Sequence, residues 1–451
     1  MLERVTFKEK LAYAAGGLPS GVMYLLVTSF LTYFYTNVVG VSIGTVGLVV
    51  LASRIFDGLS DLLAGSIIDK TKSPHGKARA WMSRMILPYG VSGILLFLVP
   101  ISAPNSIKVV FIFLTYNLAN TVVYTMLDIS YNTLISRMTQ NQSDRASLAI
   151  FRMGLGSIFQ LVISALTLPL VRILGDNQQA WIIVTGVYYA FAMVMLFLSF
   201  KNTRERVETI EVKRNKGALL QEIKCLLANP YWAIVLGIWL VTGVFNTIVG
   251  VDQVYYCQYV FQNKDLSGAL ASAQMIAMLV VIIVFLTPLV KRFGNRNVAL
   301  GGAIVGIIGQ GLFLLNTGSF QMALVAAVLR GAGMGPCGGV FFAMLNDTVE
   351  YGQWKNHIRS EGLTNSAASF GSKVGAGIAS AAVSGVLEMA GFNGMMEVQS
   401  ASAMSAISAL YIYGPLVAFI VLAVLLYFYK LDKLYPQIMA ELEKRREQGI
   451  V

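Results

Sequence analysis

The stretch IGTVGLVVLASRIFDGLSDLLAGSII, residues 43–68, decides the reading of the whole chain. It is long enough to cross a bilayer core of about 30 Å, which takes roughly 20 apolar residues as a helix, yet it carries Arg54, Asp57 and Asp61. Placing one such charge in a membrane helix costs about 2.5 to 3.5 kcal/mol, so an ionisable group inside an apolar span is a functional candidate by default. Asp57 and Asp61 are four residues apart and share a helix face, with Ser60 on the adjoining side. Two carboxylates side by side in a medium of low dielectric need compensation, either a cation between them or a proton on one. The stretch therefore predicts a membrane helix that holds a coupling ion, Na⁺ or H⁺, with Na⁺ placed at Asp57 and Asp61.

Apolar stretches of that length recur. Twelve are placed near 15–38, 43–68, 81–102, 108–136, 148–171, 179–200, 231–257, 267–290, 298–316, 320–346, 362–388 and 404–429. They are too long for barrel strands and lack strict alternation, and a helix satisfies its own backbone in lipid. Hydrophobic residues make up 56% of the 451, charged residues only 13%, and the mean hydropathy is +0.66. A soluble domain carries roughly a quarter charged residues, so an ordinary soluble protein is excluded.

The formal charge of +11 does not indicate a nucleic-acid partner, because the basic excess is confined to loops. With the N-terminus and every second loop in the cytoplasm, those segments hold 26 of the 34 Lys and Arg residues, and the opposite loops hold only Lys108, Arg172 and Lys264. Both termini are thus expected on the cytoplasmic side of the cell (inner) membrane. The first apolar stretch is too long for a signal-peptide core and is expected to remain as the first span. Three cysteines without a CxxC pair and two loop histidines offer no disulfide framework, metal cluster or histidine relay.

The longest charged loop, Lys201 to Pro230, divides the chain into a six-helix half at 1–200 and another at 231–429, with a cytoplasmic tail at 430–451. LDISYNTLISRMTQNQSDRASLA at the end of span 4 and LNDTVEYGQWKNHIRSEGLTN at the end of span 10 occupy corresponding positions, each with an Asp before a Tyr and a basic loop after. Two pseudo-symmetric six-helix repeats are the expected organisation, an all-α membrane protein of twelve transmembrane helices. The tail, with KLYPQIMAELEKRR, reads as an amphipathic helix on the cytoplasmic surface or as a solvated tail.

Span 4 adds Thr125 and Asp128 one turn apart, and Arg152 in span 5 and Lys373 in span 11 are basic counterparts, one from each half. Lys373 lies mid-span in SFGSKVGAGIAS, whose small residues let helices approach around it. Span 7 contributes Asn246, Asp252, Gln253, Tyr255 and Tyr256, a polar and aromatic set suited to a hydroxylated ligand, although Tyr near a membrane face is also ordinary interface chemistry. Asp347, Glu350 and Glu361, with Arg145, Lys355 and Arg359, are placed at the cytoplasmic edge as a charge network that locks one conformation. No GxxxxGK[ST] loop is present, which excludes an ATP-driven pump of that type, and no nucleophile or metal motif suggests an enzyme.

SRIFDGLSDLLAGSIIDKTKSPHGKARAW (53–81) and NDTVEYGQWKNHIRSEGLTNSAASFGSK (346–373) resemble the glycoside-pentoside-hexuronide:cation symporters, the melibiose permease family, and FYTNVVGVS (34–42) and KRFGNRN (291–297) fit as well. The resemblance implies a major facilitator fold that works by alternating access. It implies a cation site at Asp57, Ser60, Asp61 and Thr125, joined to the solute site at Asp128, with Arg152 and Lys373 in sugar contact. The chain departs from the melibiose-type members at three places: Ser60 replaces an Asn, Gly17 replaces an acid in span 1, and Asn132 replaces an aromatic platform. Without the span 1 acid, Arg152 and Lys373 are left to receive an anionic group such as a hexuronate. The expected function is inward symport of a glycoside, pentoside or hexuronide with Na⁺ or H⁺ by a monomer in the bilayer, with no cofactor. Asn132, Asp252, Gln253 and Tyr256 are expected to join the solute site. The rival reading keeps the fold and moves a lipid or other amphiphile.

Overall fold

The computed structural model describes residues 5–71, 73–74, 76–207, 224–356 and 361–447, and among these there are helices and no strands. The helices are α1 (Phe7–Val38), α2 (Ile43–Lys70), α3 (Lys77–Leu95), α4 (Asn105–Met138), α5 (Gln142–Ile173), α6 (Gln178–Asn202), α7 (Pro230–Tyr259), α8 (266–293), α9 (295–313), α10 (Phe320–Asn356), α11 (Glu361–Met389), α12 (Ala401–Phe428) and α13 (Leu431–Glu447). The first twelve overlap the twelve expected spans, and those long and apolar enough to cross a membrane make this a multi-pass membrane protein.

Local sequence explains where helices begin and bend. α1 opens with a capping box in which the Thr6 hydroxyl accepts from the Glu9 amide and Glu9 reaches back to the Thr6 amide. α8 and α9 are two helices that follow one another directly at Gly294. Gly294 divides them with φ 79°, a left-handed conformation that glycine adopts without a Cβ penalty.

Pro415 lies inside α12 and has no N–H for the Tyr411 carbonyl one turn earlier. The Gln310 amide of α9 donates to that carbonyl at 3.0 Å and to the Ile412 carbonyl at 2.9 Å. A side chain from a neighbouring helix thus satisfies the acceptor that the proline leaves open.

Contacts group the chain into two units: Met1–Glu211 with Gln253–Ala269 and Ser380–Ala406, and Val212–Asp252 with Leu270–Ala379 and Ile407–Val451. The first unit packs around fully buried Trp181, whose ring stacks on Phe97 at 6.0 Å and meets Phe30, Tyr33 and Phe34. The core of the second includes Ile238, Phe245, Ala299, Met344 and Phe419. Small residues bring α9 and α10 together: a Cβ on Gly302 would fall 2.5 Å from the Gly333 carbonyl oxygen.

The tail forms the amphipathic helix α13, whose apolar residues Leu431, Ile438 and Leu442 are buried in the second unit's core. Its Asp432 accepts from the Arg296 amide at 2.9 Å, and its Tyr435 hydroxyl donates to Glu350. A face that satisfies protein in this way is not available to lie on lipid.

Candidate substrate and cation site

Asp57 of α2 is 1% exposed, and its carboxylate is held by three donors. The Thr121 hydroxyl donates at 2.5 Å, the Asn120 amide at 3.0 Å and the Arg54 guanidinium at 3.2 Å. Thr121 and Asn120 lie in a π-helical segment of α4, Asn117–Tyr124, and Asn117 of the same segment donates to Ser53 of α2 at 2.9 Å. π segments insert a residue into the helical turn and are frequent at functional sites. Here the segment turns a row of polar side chains onto one buried acid.

The sequence reading placed Ser60 and Thr125 beside the cation. The Ser60 hydroxyl donates to the Asp57 backbone carbonyl at 2.9 Å, and the Thr125 hydroxyl donates to the Asn120 carbonyl at 3.4 Å. Neither of these bonds is to a carboxylate. The α4 donors to the Asp57 carboxylate are Asn120 and Thr121, which the sequence reading did not single out. Asp61 is half-buried one turn beyond Asp57 on α2.

Asp128, Asn132 and Arg152 come together as expected. Asp128 accepts from the Ser20 hydroxyl of α1 at 3.1 Å and from the Asn132 amide at 2.8 Å, and one Arg152 nitrogen lies 4.0 Å from it. Arg152 also donates to the Asn132 side-chain oxygen, and its guanidinium sits 4.7 Å from the centre of the Tyr131 ring. Tyr131 stacks on Tyr13 at 4.7 Å and donates to the Tyr13 carbonyl at 2.7 Å, which fixes the platform under the arginine. A Cβ on Gly17 would lie 2.9 Å from the Tyr131 hydroxyl and 3.2 Å from Cγ of Arg152. Position 17 therefore faces Arg152. The arginine keeps 33% of its side chain exposed, open to a ligand.

Lys373 lines a cavity of about 280 Å³ in the second unit, with Ser369 and Ser372 of α11, Phe342 of α10 and Trp239 of α7. Trp239 is a third residue that the sequence reading did not single out. The other α7 candidates are placed differently. Asp252 and Tyr256 are wholly buried, and neither Asp252 oxygen accepts a hydrogen bond. Gln253 donates to the Ser267 carbonyl at 2.8 Å and ties α7 to α8, whereas Asn246 is exposed. In this conformation Asp252, Gln253 and Tyr256 are enclosed and present no open wall to a solute.

The enclosure is built inside the first unit. The Tyr255 hydroxyl meets that of Thr36 at 2.8 Å, and Asn37 donates to the Tyr259 hydroxyl at 3.0 Å. Arg172 pairs with Asp265 at 2.9 Å, Lys264 pairs with Asp176, and Glu388 accepts from the Gly44 amide at 2.9 Å. The ends of α7, α8 and α11 are thereby fastened to α1, α2 and the α5–α6 turn.

Of the charge network expected at the cytoplasmic edge, the side chains of Arg145, Asp347, Glu350 and Lys355 are among the described residues. Arg145 donates to the Thr139 carbonyl at 2.8 Å and to the Ser136 carbonyl at 3.4 Å, covering the last carbonyls of α4. Glu350 is engaged by Tyr435 of α13, with Asp347 nearby on α10, and the Arg359 and Glu361 side chains lie outside the described residues. Among the described residues, ion pairs at that end include Arg206–Glu9, Lys10–Asp144 and Arg137–Glu205 in the first unit and Arg445–Glu441 in the second.

Residues 12–433 match the family described as MFS/sugar transport protein. The chain belongs to that family. It is 32% identical to an isoprimeverose transporter of Lactiplantibacillus pentosus, over 98% of this chain and 93% of that one. It is 28% identical to a glucuronide carrier protein homolog of Escherichia coli strain K12, over 99% and 98%. The inward-open xylose transporter XylE from E. coli superposes with a TM-score of 0.64 at 16% identity, over 93% of this chain and 95% of that one, a likeness of fold. The resemblance to the glycoside-pentoside-hexuronide:cation symporters is thus one of membership. This member of the MFS/sugar transport family is a sugar transporter and not an enzyme.

Proposed function

We propose that the chain carries a glycoside into the cell together with Na⁺ or H⁺, as a monomer in the inner membrane with both termini in the cytoplasm. The two six-helix halves, 1–200 and 231–429, are its moving bodies. The observation that carries the coupling is the buried Asp57 carboxylate, tied from α2 to Asn120 and Thr121 of α4, the helix that also bears Asp128. A cation that alters the α2–α4 contact is felt at Asp128, and Asp128 touches the groups around Arg152. Binding of cation and solute is then reciprocal, with a coupling of about 1 to 3 kcal/mol. With 26 of the 34 basic residues assigned to the cytoplasm, the fastened ends of α7, α8 and α11 lie on the outside, and the fastening is the closed outer gate.

The relatives support a solute built on a pentosyl or glycuronosyl unit, and the glycine facing Arg152 supports an anionic group on it. The test is uptake into proteoliposomes under an imposed Na⁺ or pH gradient. Asp57→Asn and Asp61→Asn are expected to abolish accumulation against a gradient while weakening solute binding much less. Unchanged accumulation in both variants would overturn the assignment.

A further inference from the structure

We propose that the outer end of the first unit carries a second solute site, a polar cavity that takes a neutral sugar or glycoside and, when filled, holds the outer gate closed. The inference rests on the glycoside reading above and adds to it control from outside by the solute itself. The cavity measures about 440 Å³, within the range of roughly 300 to 1,000 Å³ for ligand pockets. All of its lining residues belong to the first unit. Three observations carry the proposal.

First, the cavity holds basic residues where the positive-inside rule removes them. The outer loops contain only Lys108, Arg172 and Lys264. Lys108 is buried and donates to the Val39 carbonyl at 3.0 Å, whereas Arg172 and Lys264 both line the cavity. Second, among the described residues the non-glycine positions with left-handed backbone are Asp176 (φ 51°) and Gln262 (φ 54°), one on each wall. A side chain in that region strains the backbone, and such strain gathers at ligand clamps and switches. The turn at Gln262 lets four successive residues, 262–265, line one cavity, which the side-chain directions of a helix or a strand do not allow.

Third, the lining suits hydroxyls and not an ion. Arg172 pairs with Asp265 at 2.9 Å and Lys264 pairs with Asp176, so the four charges sum to zero. A cation entering the cavity would be opposed by Arg172 and Lys264, and an anion by Asp176 and Asp265. Gln258, Gln262 and Asn263 complete the wall with amides, each both donor and acceptor. A sugar hydroxyl also donates and accepts, and a wall of charges and amides gives an amphiphile no apolar seat. Arg172, Asp176, Gln262 and Asn263 are exposed, so a solute arriving from outside meets them directly. A simple latch would need only the two ion pairs and has no use for three amides around an open volume. One wall comes from α5 and the α5–α6 turn, the other from α7 and the α7–α8 turn. A solute that touches both binds the fastened arrangement better than a parted one and shifts the gate towards closure.

The test uses the full-length protein in proteoliposomes with isoprimeverose, a neutral disaccharide, as probe. With Cys225, Cys257 and Cys337 changed to serine, Gln262→Cys supplies a single thiol at an exposed position, labelled from outside with a membrane-impermeant maleimide. Saturating isoprimeverose is expected to slow labelling at least about tenfold, as occupancy of more than nine-tenths requires, and to do so equally when Arg152→Ala weakens the inner solute site. NaCl at the same concentration should not protect. Initial uptake by the native protein is expected to fall again at high external isoprimeverose. Gln262→Gly keeps the turn without a Cβ penalty and removes one amide, and should move that fall to about twofold to tenfold higher concentration. Labelling left unchanged by isoprimeverose, in a protein that takes the sugar up, overturns the outer site while the glycoside reading stands. Protection that vanishes with Arg152→Ala, or that NaCl gives equally, overturns it too. Uptake that rises to a plateau and stays there overturns the gate role, as does a fall that Gln262→Gly leaves in place. If the native protein takes up neither isoprimeverose nor any other glycoside, the glycoside reading itself falls.

Discussion

Replacing Gly17 by aspartate separates the space at position 17 from its charge. The first side-chain atom there would arrive 2.9 Å from the Tyr131 hydroxyl and 3.2 Å from the Arg152 stem. Both contacts are tighter than ordinary, and the neighbours must give by a few tenths of an ångström. By the usual cost of overpacking, this strain is about 1 kcal/mol. Gly17→Ala carries nearly all of it and is the control.

The charge is what the alanine lacks. Arg152 has one acid at 4.0 Å, Asp128, which also serves Ser20 and Asn132. A carboxylate at position 17 would take the arginine as a charge-assisted partner, worth about 1.5 to 3 kcal/mol. A uronate arriving at Arg152 would have to displace it. Kd for methyl β-glucuronide is therefore expected to rise roughly 10-fold to 100-fold in Gly17→Asp relative to Gly17→Ala. A neutral pentoside should differ between the two by no more than about threefold, because it has no stake in that charge. The assay is equilibrium binding to the purified variants, with thermal stability recorded to confirm folding. Equal uronate affinity in the two variants would refute the idea that Arg152 receives an anionic group. So would a native protein that binds neutral glycosides while uronates neither bind nor compete.

Two further outcomes follow from close packing and from the proline in α12. A Cβ on Gly268 would fall 2.5 Å from the Ser164 backbone oxygen, so Gly268→Val should hold α8 away from α5. With Cys225 and Cys337 changed to serine, maleimide labelling of the now wholly buried Cys257 should accelerate at least about tenfold and uptake should fall; unchanged labelling would show that this contact does not keep the first unit closed. Gln310→Leu removes the donor that serves the Tyr411 and Ile412 carbonyls and should destabilise the protein by about 1 to 3 kcal/mol. Pro415→Ala returns an N–H to α12 and should recover part of that loss in a double-mutant cycle by thermal denaturation; additive losses would refute the compensation.

The parts of this protein that could be read from its sequence are those that the bilayer forces. Lipid leaves the backbone no choice but helix, so twelve apolar runs give twelve helices, and the price of a buried charge singles out Asp57, Asp61, Asp128, Arg152 and Lys373 without any knowledge of packing. What could not be read is which neighbour each charge meets. Asn120 and Thr121 were missed because a helical period cannot be carried through the π segment at Asn117–Tyr124, where the turn contains an additional residue. Arg145 and Glu350 show the same limit from the other direction. A charge at a helix end lies within reach of bare carbonyls and of whatever packs there, and the nearest of these engaged it: the last turn of α4 for Arg145, and the tyrosine of a docked α13 for Glu350. Cost can be reckoned residue by residue along the chain, whereas partnership depends on tertiary packing, and the solute site of this transporter is made of partnerships.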